Sequence, residues 1–433
     1  MALPKLKQEL TDRALSEPQE AAGPWLTAAR QLARDRLATL GMPVRRDEYW
    51  KFTNPEPWTG DDVATTASDL SDVFDDAKPL TLVFVDGVFD EAASDDPSED
   101  NLTIERLSAI GHSDLHWAKG LYGALESASN TAERRAGARL FKPVARPMAA
   151  LNTAKASEGV LLHVTGDVAR PIRLSYRSDG GDALLHHMIK VEAGASLTVL
   201  EEGLPGGRSN VMIEADVADG GTLHHLRIQG PEVERATLTN LYARIGREST
   251  FKSFTFTANG AATRNEAVID ILGADATAHI AGACLGDGDV GKFHHDDTVY
   301  ITHDAYNCES RQVFKKVLRN GAVGVFQGKI LVQPDAQKTD GYQISQSLLL
   351  DDDSQFLAKP ELEIYADDVA CSHGSTSGAI DETALFYLRS RGVPRKEAED
   401  LLTLSFLAEA LEEIDDEDLA EAVLTRIESW LRG

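Results

Sequence analysis

Basic residues are scarce in this chain. Its 433 residues carry 43 Lys and Arg against 70 Asp and Glu, a formal net charge of -27. A protein that grips a nucleic-acid backbone or an anionic membrane surface needs the opposite footprint, so neither is expected as a partner, and a basic protein surface fits better. Cysteine is scarce too. Cys284, Cys308 and Cys371 are odd in number and far apart, which argues against a disulfide framework and for a reducing cytoplasm. No apolar run approaches the ~20 residues a membrane span requires. The N-terminus, Met1-Ala-Leu-Pro-Lys-Leu-Lys-Gln-Glu-Leu, has neither the continuous apolar core nor the small-residue cleavage site of a secretory leader.

Apolar residues at 42% and charged residues at 26% are ordinary for a folded protein. The length exceeds one ordinary core, which leaves several domains or one elongated repeat. Residues from about Lys5 to Leu40 read as two helices broken at Gly23-Pro24, with Leu26, Ala29, Ala33, Leu37 and Leu40 three or four apart. Pro43 stops the second, and Tyr49, Trp50 and Phe52 then offer an aromatic anchor for these helices. A strand pair is predicted around Asp86-Gly87, a loop over Asp95 to Asp100, and a helix from Leu115 to Arg139.

From about Leu151 a repeat sets in. Small residues followed by a short alternating strand recur before Leu197, Leu223, Phe251 and Ala278, at steps of 26, 28 and 27 residues. A period of that size signals stacked units that cannot bury their faces alone. Leucine-rich, helix-pair and propeller signatures are absent. Short strands, corner residues and period-2 alternation remain, for which a β-helix is the best fit and an irregular two-sheet sandwich the alternative. The pattern continues less regularly to Leu362-Glu-Ile-Tyr365. Three helices close the chain: one capped by Asp381 and stopped at Gly392, one starting near Pro394, and one presenting Leu419, Val423, Ile427 and Leu431. Such a unit is expected to close the open end of a solenoid. Glu397 to Glu421 holds eleven acidic residues and no basic one, a solvated face free for a partner.

Several motif fragments fail on their own chemistry. Gly286-Asp-Gly-Asp-Val-Gly291 would set Asp287 and Asp289 against a pyrophosphate, and it opens no helix. Gly328-Lys329 lacks both the earlier glycine of a P-loop, since position 323 is Val, and its hydroxyl, since position 330 is Ile. The pairs His186-His187, His224-His225 and His294-His295 fall in strands, where neighbours point to opposite faces and cannot share a metal; surface or stacking roles are expected. His294, Asp296 and His303 could converge across a rung. Cys284 and Cys308 read as buried, inert thiols.

Cys371 and His373 stand apart, in Ala370-Cys-Ser-His-Gly-Ser-Thr-Ser-Gly378, where little apolar surface surrounds them. Positions i and i+2 of an extended segment share a face, so thiolate and imidazole could bind one soft or borderline metal, or the imidazole could lower the thiol pKa. Two ligands are too few for a closed site. A site shared between subunits would supply the rest, while a corner pair capping the solenoid would need no ligand at all.

Cys371-Ser-His-Gly-Ser-Thr-Ser-Gly, Leu385-Phe-Tyr-Leu-Arg-Ser-Arg-Gly392, Ala336-Gln-Lys-Thr-Asp-Gly-Tyr-Gln, Leu348-Leu-Leu, Arg46-Asp-Glu-x-Trp-Lys-Phe-Thr and Leu151-Asn-Thr-Ala together closely resemble the SufB/SufD family of iron–sulfur cluster assembly proteins. Glycine after the histidine, the modest length and the lack of clustered cysteines are more similar to the SufD branch. The resemblance implies a mainly β fold, a right-handed parallel β-helix over residues 146–368, between an N-terminal helical region with a strand pair (1–145) and a C-terminal helical domain (369–433). It implies a non-catalytic scaffold, paired with a SufB-like subunit or with itself when isolated, and bound by a SufC-like ATPase through the C-terminal helices. It also implies a transient cluster or iron site at the subunit interface, with His373 the implicated position and Cys371 beside it, and no nucleotide on this chain. The other reading is a β-helix enzyme, a polysaccharide lyase or hydrolase, with carboxylates lining a groove. The missing leader and the position of Cys371 and His373 speak against it.

Overall fold

The computed structural model describes residues 3–17, 22–61, 65–69, 71–110, 116–128 and 144–432. Two long parallel sheets wind as one flattened coil, a β-solenoid of about eight turns. Each turn contributes one strand to a front sheet, which ends in Glu309–Arg319, Asp340–Leu349 and Ala370–Gly378, and one to a back sheet, which ends in His294–His303, Val323–Val332 and Gln355–Ile364. Pairing every strand with the turn before and after satisfies its backbone groups without an edge inside the stack.

The predicted repeat is the stacking register itself. Leu197, Leu223, Phe251 and Ala278 are direct partners in successive front-sheet strands. All four point inward, against Leu185, Ile189 and Ile269 of the back sheet. Three residues before each of these positions the chain turns a corner in the left-handed region, at Gly194, Gly220, Glu248 and Asp275. The corners form their own ladder, the amide of one donating to a carbonyl beside the next, as Gly220 N does to Arg247 O and Glu248 N to Ala274 O.

The two ends of the coil differ. At the first, antiparallel strands close the stack: Leu102–Arg106 lies on Val160–Val164, and Leu80–Val85 carries a hairpin partner, Val88–Asp90. At the last, among the described residues, no strand pairs with the outer edge of Gln355–Ile364 or Ala370–Gly378.

Helices cover the outer faces. The N-terminal helices Lys5–Ala14 and Pro24–Leu40, with Pro147–Lys155, lie on the back sheet. Trp50 and Trp58 pack there on Leu37, Ala236, Leu238 and Ala262, and the Arg264 guanidinium sits 4.4 Å over the Trp50 ring. The aromatic anchor thus holds the helices to the sheet as well as to each other. Most of the helix expected over Leu115 to Arg139 lies outside the described residues. Among the described residues no helix is long and apolar enough to cross a membrane.

The C-terminal helices Glu382–Ser390, Arg395–Leu411 and Glu417–Arg432 form at the expected places, with Asp381 accepting from the amides of Thr383 and Ala384. Their location differs from expectation: they lie along the outer face of the front sheet and leave the last turn open. Leu407, Leu411, Leu419, Val423 and Ile427 meet Leu226, Ile228, Phe254 and Phe256, and Trp430 stacks on Phe256 at 5.3 Å. Outward apolar columns in mid-sheet bury more apolar area than the small polar residues of the last strand offer, and that area decides the docking. The acidic run is not wholly a free face either. Glu409 pairs with Lys315, Glu413 with Arg311 and His279, and Asp415 with Lys252 and His224.

Candidate functional site

The front-sheet strand Ala370–Gly378 is the last of the stack, so Cys371 and His373 belong to the solenoid; the helical unit begins beyond them, not at 369. The register carries the inward columns up to them. Ala278 pairs with Ser310, Ser310 with Gly341 and Gly341 with Cys371, which sets the thiol in the column of Leu197, Leu223 and Phe251. The neighbouring column runs His225, Ser253, Ile280, Gln312, Gln343, His373. Both side chains therefore share the inward face at the open end, their Cα atoms about 6.6 Å apart along the strand.

Their surroundings differ. Cys371 is half-buried against Ile330, Val332, Ala336 and Leu362, and a Cβ on Gly341 would stand 3.1 Å from its Sγ. His373 is exposed. Burial pushes the Cys371 thiol above its ordinary pKa and Asp340 adds to this, against the amide of Gly341. The imidazole does not activate the thiol, which disposes of that expectation. What remains is a sulfur and a nitrogen donor on one face of an unpaired strand, suited to a soft or borderline metal once the metal displaces the thiol proton. Among the described residues no group of three or more His, Cys, Asp and Glu is placed to hold a metal, so further ligands would come from another chain.

The paired histidines point to opposite faces, as the pleat requires, but they are mostly buried rather than superficial. His186 faces outward, stacked on Tyr122 and bonded to Glu214, while His187 faces inward to the Tyr176 hydroxyl. His225 reaches buried Glu201 at 2.6 Å, and Lys316 donates to His295 at 2.7 Å. His294, Asp296 and His303 do not converge: the first two meet Thr53 on the outer face, and His303 bonds Ser310 inside. Cys284 is buried, its thiol pushed up to about 12 by desolvation. Cys308 is buried and donates to the Gly273 carbonyl at 3.2 Å. Asp287 accepts from Arg319 and Asn320 in a turn, and Gly328-Lys329 lies within a strand. The outer faces along which a saccharide groove was expected on the other reading carry helices on both sheets.

Sequence reasoning missed Gln343, fully buried beside His373 in the register, because its column shows no repeated residue type. It also missed the pairing of the acidic run with the front sheet.

A family model described as the SufBD core domain of SUF-system FeS cluster assembly matches residues 175–406. The chain is 30% identical over 426 residues to the iron–sulfur cluster assembly protein SufD of Escherichia coli, covering 96% of this chain and 95% of that protein. It is 25% identical to the SufD protein of Bacillus subtilis over 97% of each chain. With an iron–sulfur cluster assembly SufBD family protein of Synechocystis it shares 26% identity over 90% of this chain and 87% of that one.

Proposed function

Because this chain belongs to the SufBD family of iron–sulfur cluster assembly proteins and is a SufD homologue, we propose that it is a scaffold subunit without turnover of its own, on which a cluster is built at an interface with a SufB-like subunit. The observation that carries this reading is the position of Cys371 and His373: two donors on the inward face of the last strand, at an edge no described residue covers. Unpaired strand edges are ready templates for another chain. Iron and persulfide sulfur are the substrates, and the partner completes the ligand set. Isolated from that partner, the same edge would serve a homodimer. Three unpaired cysteines support a reducing, cytoplasmic setting.

The same reading places a SufC-like ATPase on the C-terminal helices, where Phe386 and Tyr387 are exposed at 74% and 55%, large apolar side chains of the kind partners bury. Nucleotide chemistry belongs to that subunit. Its motion would reach the solenoid through the seam of Glu409, Glu413 and Asp415 on front-sheet bases, reshaping the open end so that substrates enter. His373→Ala in the complex, purified anaerobically with its partners, is expected to abolish the cluster chromophore while the complex still elutes intact. Unchanged cluster yield would sink the proposal.

A further inference from the structure

The column that ends at His373 is apolar or neutral in mid-stack and becomes a directed relay near its end. Gln312 and Gln343 are both fully buried. Gln312 Nε2 donates to the main-chain carbonyl of Lys329 in the back sheet at 3.3 Å, a group that can only accept. Gln312 therefore presents its oxygen to Gln343, whose Nε2 donates to it at 2.7 Å. That bond orients the second amide as well. Gln343 Oε1 is left over, buried and without a hydrogen-bond partner among the described residues. A buried acceptor of that kind is costly to leave unmade.

Space has been cleared for this amide. A Cβ on Gly328 would lie 2.3 Å from Gln343 Nε2, so only glycine there lets the side chain cross the interior. The strand Asp340–Leu349 has the strand of Gln312 on one side and that of His373 on the other. With its nitrogen turned to Gln312, the amide keeps its oxygen for the opposite side. There its register partner is His373, one strand spacing of about 4.8 Å away.

We propose that Gln343 is a positioning residue for His373: its unpaired Oε1 accepts one ring N–H, which holds the imidazole in a single tautomer with its other nitrogen free to donate to iron at the interface. This rests on the reading of His373 as a ligand. Partners of metal-bound histidines act in this way, and losing one typically lowers metal affinity 10- to 100-fold.

Histidine-selective 15N labelling of the full chain, with the His373 signal identified by its loss in His373→Ala, reads the tautomer at a pH where the ring is neutral. One tautomer is expected in the unaltered chain and in Gln343→Glu, and a mixture in Gln343→Leu, with Gln343→Met as its stand-in should the leucine variant not fold. Both Gln343→Glu and Gln343→Leu lose the donor to Gln312, so a merely structural role predicts equal damage. In the complex with its partners, Fe2+ affinity should fall about 10-fold for Gln343→Leu and stay near its starting value for Gln343→Glu. An unchanged tautomer and affinity in Gln343→Leu, or equal loss in both variants, overturns the positioning role. Unchanged Fe2+ affinity in His373→Ala overturns the ligand reading and this inference with it; a loss there alongside an unaltered Gln343→Leu overturns the inference alone.

Discussion

The strands Ala262–Ile271 and Ala370–Gly378 occupy the same coil, yet the first buries nine of its ten residues and the second leaves seven of nine exposed. The mid-stack strand has a neighbour on each side and a helical layer outside; the last has one neighbour and open space beyond. Composition follows position. Mid-stack columns hold Leu197, Leu223 and Phe251, whereas the last strand carries Cys371, His373 and a run of Ser, Thr and Gly. A solenoid draws its stability from the interior turns, so the terminal turn is free to give up packing for reactive and hydrogen-bonding groups. An unprotected edge is an aggregation liability unless a specific partner occupies it.

Core truncation tests the contrast most sharply. Phe251→Ala, in mid-stack and fully buried, should cost about 3–5 kcal/mol in urea unfolding. Thr376→Ala on the last strand should stay within about 0.5 kcal/mol; similar losses at the two would break the comparison. Acidification comes next. Burial lowers the His187 pKa to about 4 and that of His303 to about 3, against ~6.5 in an unfolded chain. The unfolded state then binds more protons throughout that window, so stability present at neutral pH drains as pH falls from about 6.5 towards those values. A loss of a few kcal/mol between about pH 7 and pH 4 is expected, and a flat profile would mean that these interiors are wetter than the packing indicates. The smallest effect is a pair of glycines. Gly328→Ala sets a Cβ 2.6 Å from the Phe326 ring and should cost about 1–3 kcal/mol. Gly374→Ala meets no described atom within 4 Å and should leave the melting temperature unchanged or slightly raised.

How far the fold was legible depended on spacing. Where steps stay between 26 and 28 residues, the predicted alignment of Leu197, Leu223, Phe251 and Ala278 is the register. Beyond Ala278 the steps lengthen to 32, 31 and 30 residues, and the column through Ser310, Gly341 and Cys371 drops out of sight. The corners are hidden for a different reason: Glu248, Asp275, Asn307 and Lys338 take the left-handed conformation that only Gly194 and Gly220 advertise. Opposite facing of the paired histidines followed from the pleat alone. Their burial did not, because it depends on helices and turns far away in sequence, such as Tyr122 over His186.

By itself, then, the chain order determined what neighbours a few residues apart can settle: the strand alternation, the stacking period, the spacing of Leu419, Val423, Ile427 and Leu431, and the shared face of Cys371 and His373. Those follow from backbone geometry, which repeats every two or 3.6 residues whatever surrounds it. Only the tertiary structure decided that the C-terminal helices lie along the front sheet, that part of their acidic run is held there by bases, and that the last turn stays open with Gln343 beneath His373. Such choices rest on which apolar columns and charges from distant segments can be covered together, and no local period records that.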